Sequence, residues 1–276
     1  MQLLEGKPVA AFYKEHIAAT LAALKEEQAQ PELAIVLVGD DAPSALYAKS
    51  MQKVASGVGL GATIHTAPAD VTEDTLLQMI HGLNNDDKVI GILLMMPLPE
   101  HIHAARIINA IAPEKDVDGL TDSNIAHLFS GQPALVPCTP QAVMAILHYY
   151  QISLDGKHVV VLGRSNVVGK PVAQLCLACN ATVTICHSHT QDLASITKTA
   201  DILIAAVGKA NFVTKDMVKS GAVVIDVGIN RVNGKTVGDV DFTSVAAMAG
   251  AITPVPGGVG TVTTTMVLAN ALMGID

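Results

Sequence analysis

Short, nearly uninterrupted apolar runs recur along this chain, and each closes on a turn rich in Gly, Pro or Asp before a segment of helical spacing begins. Residues 33–38 end at Gly39-Asp40-Asp41, 89–94 at Met96-Pro97, 159–162 at Gly163-Arg164-Ser165, 202–207 at Gly208 and 222–225 at Asp226-Val227-Gly228. Helical spacing falls on 8–25, 44–58, 72–83, 140–150 and 263–273, with further strand candidates at 63–66 and 181–186. Strands alternating with helices imply a parallel sheet covered by helices. In such sheets ligands sit beyond the carboxyl ends of strands. The loops after Val38 and Leu94 are therefore the places to look in the first half.

With 276 residues the chain is too long for one small domain, and two domains or one large α/β unit are expected. Hydrophobic residues make up 50% and charged residues 15%, which excludes a disordered chain. A net charge of −8 argues against a nucleic-acid partner. The longest nearly uncharged apolar run of strand or helix character, 89–99, is far short of the roughly 20 residues of a spanning helix; 251–274 lacks charge but is full of Pro, Gly and Thr, and no basic segment precedes an apolar one at the N-terminus. A cytoplasmic protein with no membrane partner is expected. Of the four cysteines, Cys176 and Cys179 form a C-x-x-C in a helical segment without a second ligand pair, so buried free thiols are expected. His101-x-His103 and His187-x-His189 also lack partners at ligand spacing, and no metal is expected.

The second half carries the sharper signal. A strand, the turn Gly163-Arg164-Ser165-Asn166-Val167-Val168-Gly169 and a helix follow one another. That is the order in which a dinucleotide's pyrophosphate meets a helix N-terminus. The spacing G-x(5)-G is not G-x-G-x-x-G, so spacing alone leaves a plain tight turn open; the strand before and helix after favour a nucleotide. The next strand, 181–186, runs into His187-Ser188-His189-Thr190 with no acid to hold a ribose 2′-hydroxyl. Arg164 and Ser188 suit a 2′-phosphate, which favours NADP over NAD; the alternative for Arg164 is a solvated loop charge.

Several segments together resemble the bacterial FolD family of methylenetetrahydrofolate dehydrogenase/methenyltetrahydrofolate cyclohydrolases. They are Val38-Gly39-Asp40 with Ser44-x-x-Tyr47, Gly91-Ile92-Leu93 with Pro97-Leu98-Pro99, Lys115-Asp116-Val117-Asp118-Gly119 and Pro137-Cys138-Thr139-Pro140. Gly163-Arg164-Ser165 with Val168-Gly169, Cys186-His187-Ser188, Asp226-Val227-Gly228-Ile229-Asn230, Gly238-Asp239-Val240 and residues 253–260 continue in the family's order. The resemblance implies an α/β fold: an N-terminal α/β domain (1–138) for folate and catalysis, a Rossmann-like NADP domain (139–262), and a C-terminal helix (263–276) returning to the first domain. It implies a homodimer joined through the nucleotide domain.

It also implies residue roles. Tyr47 would stack on the folate's aromatic ring and Asp118 would hold the pterin. Leu94, Met95, Met96 and Pro97 would line the substrate, with Pro256, Gly257, Gly258 and Thr263 from the later segments. Gly163, Arg164, Ser165, Val168, Gly169, Ser188 and Ile229 would meet the cofactor.

Two positions depart from the family pattern. Where S-x-x-Y-x-x-x-K has its catalytic Lys, this chain has Met51; where G-I-L-x-Q-x-P-L-P has its Gln, it has Met95. Residue 51 lies about 40° around a helix from Tyr47, whereas Lys49 and Lys53 lie about 200° and 240° away, so neither lysine naturally substitutes. Hydride transfer needs donor and acceptor held in line, but cyclohydrolysis needs protons moved, which a methionine cannot do. A dehydrogenase with weak or absent cyclohydrolase is the leading expectation. A bifunctional enzyme, a non-catalytic folate- or NADP-binding protein, and an oxidoreductase with an altered substrate are the alternatives.

Overall fold

The computed structural model describes residues 1–24 and 31–273. Lys25, the expected end of the first helix, and 274–276, the end of the expected C-terminal segment, lie outside them.

The first half holds β1 (Gln2–Leu3), α1 (Gly6–Leu24), β2 (Glu32–Val38), α2 (Ala42–Val58), β3 (Gly61–Ala67), α3 (Glu73–Asn84), β4 (Val89–Leu94), α4 (Ala104–Ile108) and α5 (Asp122–Ser130). The second holds α6 (Cys138–Tyr149), β5 (His158–Leu162), α7 (Gly169–Ala178), β6 (Thr182–Cys186), α8 (Leu193–Thr197), β7 (Ile202–Ala205) and β8 (Val223–Asp226). It ends with β9 (Asn230–Val232), β10 (Lys235–Val237), α9 (Phe242–Ala246), β11 (Ala251–Ile252) and α10 (Val259–Met273). Local chemistry sets these bounds. Asp41 caps α2 by accepting the Ser44 N–H at 2.9 Å, and Gly59 ends it in the left-handed region at φ 88°. Thr72 and Thr121 cap α3 and α5 in the same way.

Two parallel sheets result. One has the order β3-β2-β4, with Ala34, Val36, Leu76, Ile80 and Ile92 in its core. The other has the order β1-β11-β8-β7-β5-β6, with Val160, Leu162, Leu203, Val224 and Ile252 at its centre. Strands β9 and β10 form a separate antiparallel hairpin.

The chain divides into two compact units, one of residues 1–11 with 139–263 and one of 12–138 with 264–276. The expected N-terminal domain starts at residue 1, but the first residues go with the larger sheet. The reason is β1: the amides of Gln2, Leu4 and Gly6 donate to Gly250, Ile252 and Gly257 carbonyls at 2.7, 2.8 and 2.7 Å. Other differences are smaller. Helix α10 begins at Val259 rather than 263, and α6 at Cys138 rather than 140.

The C-terminal helix packs within the unit of 12–138. Asn270 Nδ2 donates to the Val117 and Val136 carbonyls at 2.8 and 2.9 Å from a fully buried position. A Cβ on Gly91 would overlap the Val117 side chain and come within 3.1 Å of Ala271. The glycine thus lets α10 lie against β4. Exchange of Asn270 for Leu leaves the half-buried Val136 carbonyl without its side-chain donor and the Val117 carbonyl with only the Cys138 thiol, 3.0 Å away, so urea unfolding should show a loss of roughly 1–3 kcal/mol.

Candidate active site

In the three-stranded sheet β2 comes first in the chain and lies between β3 and β4, so the strand order reverses between β2 and β4. A crevice opens at such a point. The loops leaving these strands are tied together by Ser44. Its Oγ lies 2.6 Å from Asp41 Oδ2 and 2.9 Å from the Met96 carbonyl, so its one proton serves one acceptor at a time.

Tyr47 stands one turn further along α2, partly exposed. Burial raises its phenol's pKa well above the usual value, and the charge of Asp118 and the Cys138 thiol add to the rise. Asp118 is itself pushed up to about 7, by burial first and the neighbouring Asp116 second, while a hydrogen bond with Cys138 pulls the other way. Tyr47, Asp118 and Cys138 therefore converge. Asp116 has a different task. Its Oδ2 accepts the Thr121 N–H at 2.7 Å and Asn124 Nδ2 at 3.0 Å, which fixes the turn before α5.

Leu94, Met96 and Asp118 line one recess together with Ile92 and Leu120. Met95 does not line this recess and is 7% exposed; Met51 is 0% exposed and among the largest fully buried side chains. Pro97 is exposed and follows a cis peptide bond. Lys49 and Lys53 are both exposed on α2, away from buried Met51.

The larger sheet reverses its strand order between β5 and β7. A cavity of about 440 Å³ opens there, lined by Gly163, Arg164, Ser165, Ser188, Thr190, Val207, Lys209 and Phe212 among others. That size suits a small-molecule site. No Asp or Glu lines it, whereas Arg164 and Lys209 do. Such a donor set fits a phosphate-bearing ligand. Gly163 has φ 119°, and a Cβ there would overlap the Ala206 carbonyl; one on Gly169 would overlap the Gly163 carbonyl. Only glycine permits this close strand–helix turn. Ser165 Oγ accepts the N–H groups of Val168 and Gly169 at 3.1 and 3.3 Å, so these two residues shape the turn without lining the cavity.

Ile229 is not in that cavity. It lines a second hollow of about 170 Å³ with Pro256, Gly257 and Gly258. Thr263 spends its hydroxyl on the Val259 carbonyl, 3.2 Å away in α10. The C-x-x-C pair differs from expectation in one member: Cys176 is buried, but Cys179 is exposed at the end of α7. His101 faces the Val71 carbonyl and His103 faces Glu73.

Sequence reasoning gave no role to Asp226 and Asp239. Both are buried. Asp239 accepts the N–H groups of Val207, Gly208 and Lys209 at 2.6, 2.9 and 2.9 Å, and Asn230 Nδ2 at 2.9 Å. Asp226 accepts those of Gly228, Asp239 and Val240 at 3.0, 2.9 and 2.9 Å. Burial holds Asp226 up to about 6, against the pull of those three donors. The only signal in the sequence is a pair of acids beside glycines, Asp226-Val227-Gly228 and Gly238-Asp239.

Fold and site together define a two-unit α/β enzyme with a dinucleotide cavity at the switch point of its larger sheet. Residues 4–118 match the family model for the tetrahydrofolate dehydrogenase/cyclohydrolase catalytic domain, and 137–276 match that family's NAD(P)-binding domain. The bifunctional protein FolD of Variovorax paradoxus is 50% identical over 98% of this chain and 96% of its own length. The crystal structure of the bifunctional FolD dehydrogenase/cyclohydrolase from Campylobacter jejuni superposes with a TM-score of 0.97, at 43% identity over 99% of this chain and 98% of that one. That of the Trypanosoma brucei FolD, complexed with NADP and an inhibitor, gives 0.90, at 36% identity over 98% and 95%. The chain belongs to the tetrahydrofolate dehydrogenase/cyclohydrolase (FolD) family.

Exchange of Asp239 for Asn turns two donor hydrogens toward amides that need an acceptor. The loop 207–209 then loses its anchor, and the KM for the dinucleotide should rise about tenfold or more in steady-state assays, with a smaller fall in kcat.

Proposed function

We propose that this chain oxidises 5,10-methylenetetrahydrofolate to 5,10-methenyltetrahydrofolate with NADP, and that the family's cyclohydrolase step is weak or absent in it. The observation that carries the second part is the buried pair Met51 and Met95, which occupies the family's Lys and Gln positions. NADP, when bound, accepts the hydride. The chain's own residues do the holding: Tyr47 packs on the substrate's ring, Asp118 accepts N–H bonds from the pterin, and Arg164 and Ser188 take the 2′-phosphate. Alignment at contact distance serves hydride transfer without an ionising side chain. Water attack on the methenyl carbon requires proton transfer that a thioether does not provide, at a cost of about 10²–10⁴ in rate.

A second reading, the full bifunctional enzyme, is favoured by relatives at about half identity that are bifunctional FolD proteins. In that case another group, or an ordered water, replaces the Lys. A homodimer through the nucleotide unit is part of the proposal. Strand β6 is at the sheet edge and exposes Ile185, as a buried interface there requires. Among the described residues no helix is long and apolar enough to cross a membrane.

The deciding experiment supplies 5,10-methylenetetrahydrofolate with NADP and follows NADPH, methenyl and formyl products separately against spontaneous hydrolysis. NADPH with methenyl accumulating is the expected result, and the double change Met51→Lys with Met95→Gln should add formyl product. Formyl outpacing the blank in the unchanged protein would favour the bifunctional reading, and no NADPH would sink the dehydrogenase. For the cofactor, Arg164→Ala should raise the KM for NADP about tenfold or more and leave that for NAD nearly unchanged. Equal changes for both would remove Arg164 from the 2′-phosphate site.

A further inference from the structure

We propose that Lys209, on the loop after β7, is a specificity-determining residue of the dinucleotide cavity: its ammonium group shares the cofactor's 2′-phosphate with Arg164, so that two cations rather than one select NADP over NAD. The inference rests on the reading above of Arg164 and Ser188 as the 2′-phosphate site.

Charge balance asks for a second cation. A phosphate monoester carries about −1.5 to −2 at pH 7, and one guanidinium answers only part of that. The loop that presents Ser188 supplies no more: His187-Ser188-His189-Thr190 holds neither Lys nor Arg. His187 Nδ1 accepts the His189 N–H at 3.2 Å, so that lone pair is spent on the backbone. Arg164 and Lys209 are the lysine and arginine side chains that line the cavity, and no Asp or Glu joins them. Among the described residues neither of the two forms an ion pair.

The position of Lys209 points to the adenosine end of the cofactor. A pyrophosphate belongs at the N-terminus of α7, yet Val168 and Gly169, which open that helix, do not line this cavity. The residues after β6 do line it, and that is where an adenosine ribose is read. Lys209 shares the hollow with them. Its Nζ stands 5.8 Å from the centroid of the Phe212 ring. Phe212, Leu193 and Val207 add an apolar wall suited to a flat base.

The backbone beneath the lysine is fixed although its side chain is exposed. Asp239 accepts the N–H groups of Val207, Gly208 and Lys209 at 2.6, 2.9 and 2.9 Å, and Gly208 turns the chain at φ 66°. An ammonium group on a flexible stem is thereby launched from a set point on the cavity wall. Exchange of Lys209 for Gln removes the charge and keeps the amide that Asp239 holds.

The test is titration calorimetry on the whole protein with adenosine 2′,5′-bisphosphate and adenosine 5′-monophosphate, which differ only in the 2′-phosphate. Lys209→Gln should raise the Kd of the bisphosphate about tenfold or more and leave that of the monophosphate within about twofold. Lys209→Arg, which keeps the charge, should retain most of the affinity. Arg164→Ala alone should leave a residual preference for the bisphosphate, and the double variant should remove it. Equal weakening of both ligands by Lys209→Gln would place the ammonium at the 5′-phosphate, and no weakening would make it a solvated loop charge. Either result, or an Arg164→Ala protein with no preference left, overturns the inference and leaves the Arg164 site standing. Equal affinity of the unchanged protein for the two ligands overturns both.

Discussion

The carboxyl ends of parallel strands release loops whose backbone donors need acceptors, and in the larger sheet two side chains take six of them. Asp239 gathers the loop after β7 and the side chain of Asn230, while Asp226 gathers the loop after β8 and the return from the hairpin. Val207 and Lys209 line one hollow, and Asp226, Gly228 and Ile229 line the next. The walls of both therefore depend on two buried carboxylates. Among the described residues no lysine or arginine forms an ion pair with either. Backbone amides answer them instead, and the cost of that choice shows in Asp226, whose proton is held to about 6. Glycine is required beside them. A Cβ on Gly228 would overlap the Asp239 carboxylate, and one on Gly238 that of Asp226.

What was legible in the sequence follows the range of the interaction. Continuous apolar runs between helical segments announced both parallel sheets, since a strand covered on two faces has no polar alternation to disguise it. The turn of Gly163 and Gly169 was legible for a local reason: strand, turn and helix are consecutive in the chain. Strand β1 was not, because two residues carry no period. The hairpin of β9 and β10 was missed although Asn233-Gly234, both at positive φ, is the expected signal for it. Asp239 was quoted only as part of a motif. Its work spans some thirty residues of chain, from Val207 to Asp239, and no local pattern reports that. The resemblance groups Ile229 with the cofactor residues, and in the structure it lines the hollow beside the Pro256-Gly257-Gly258 turn.

Under the proposed function, the methionine positions separate one activity of the family from another with little change in the fold. Methionine keeps an unbranched stem much like that of lysine and loses the ammonium group. Helix α2 runs unbroken from Ala42 to Val58, with Ala48, Met51 and Ala55 on one buried face and Tyr47 preceding Ala48 in the chain. Met95 likewise keeps its strand partner, its amide donating to the Val36 carbonyl at 2.9 Å. A polar glutamine without its lysine would leave a buried amide to satisfy, and a lysine without its partner a buried charge; replacing both removes both costs. On that reading the groups that would hold and align a folate, Tyr47 and Asp118, demand no proton from either position. Those that would move protons during hydrolysis depend on both. A step that needs only alignment and a step that needs a charged proton carrier would thus respond differently to the same two side chains, and on the proposed reading the fold that supports the first is indifferent to the loss of the second.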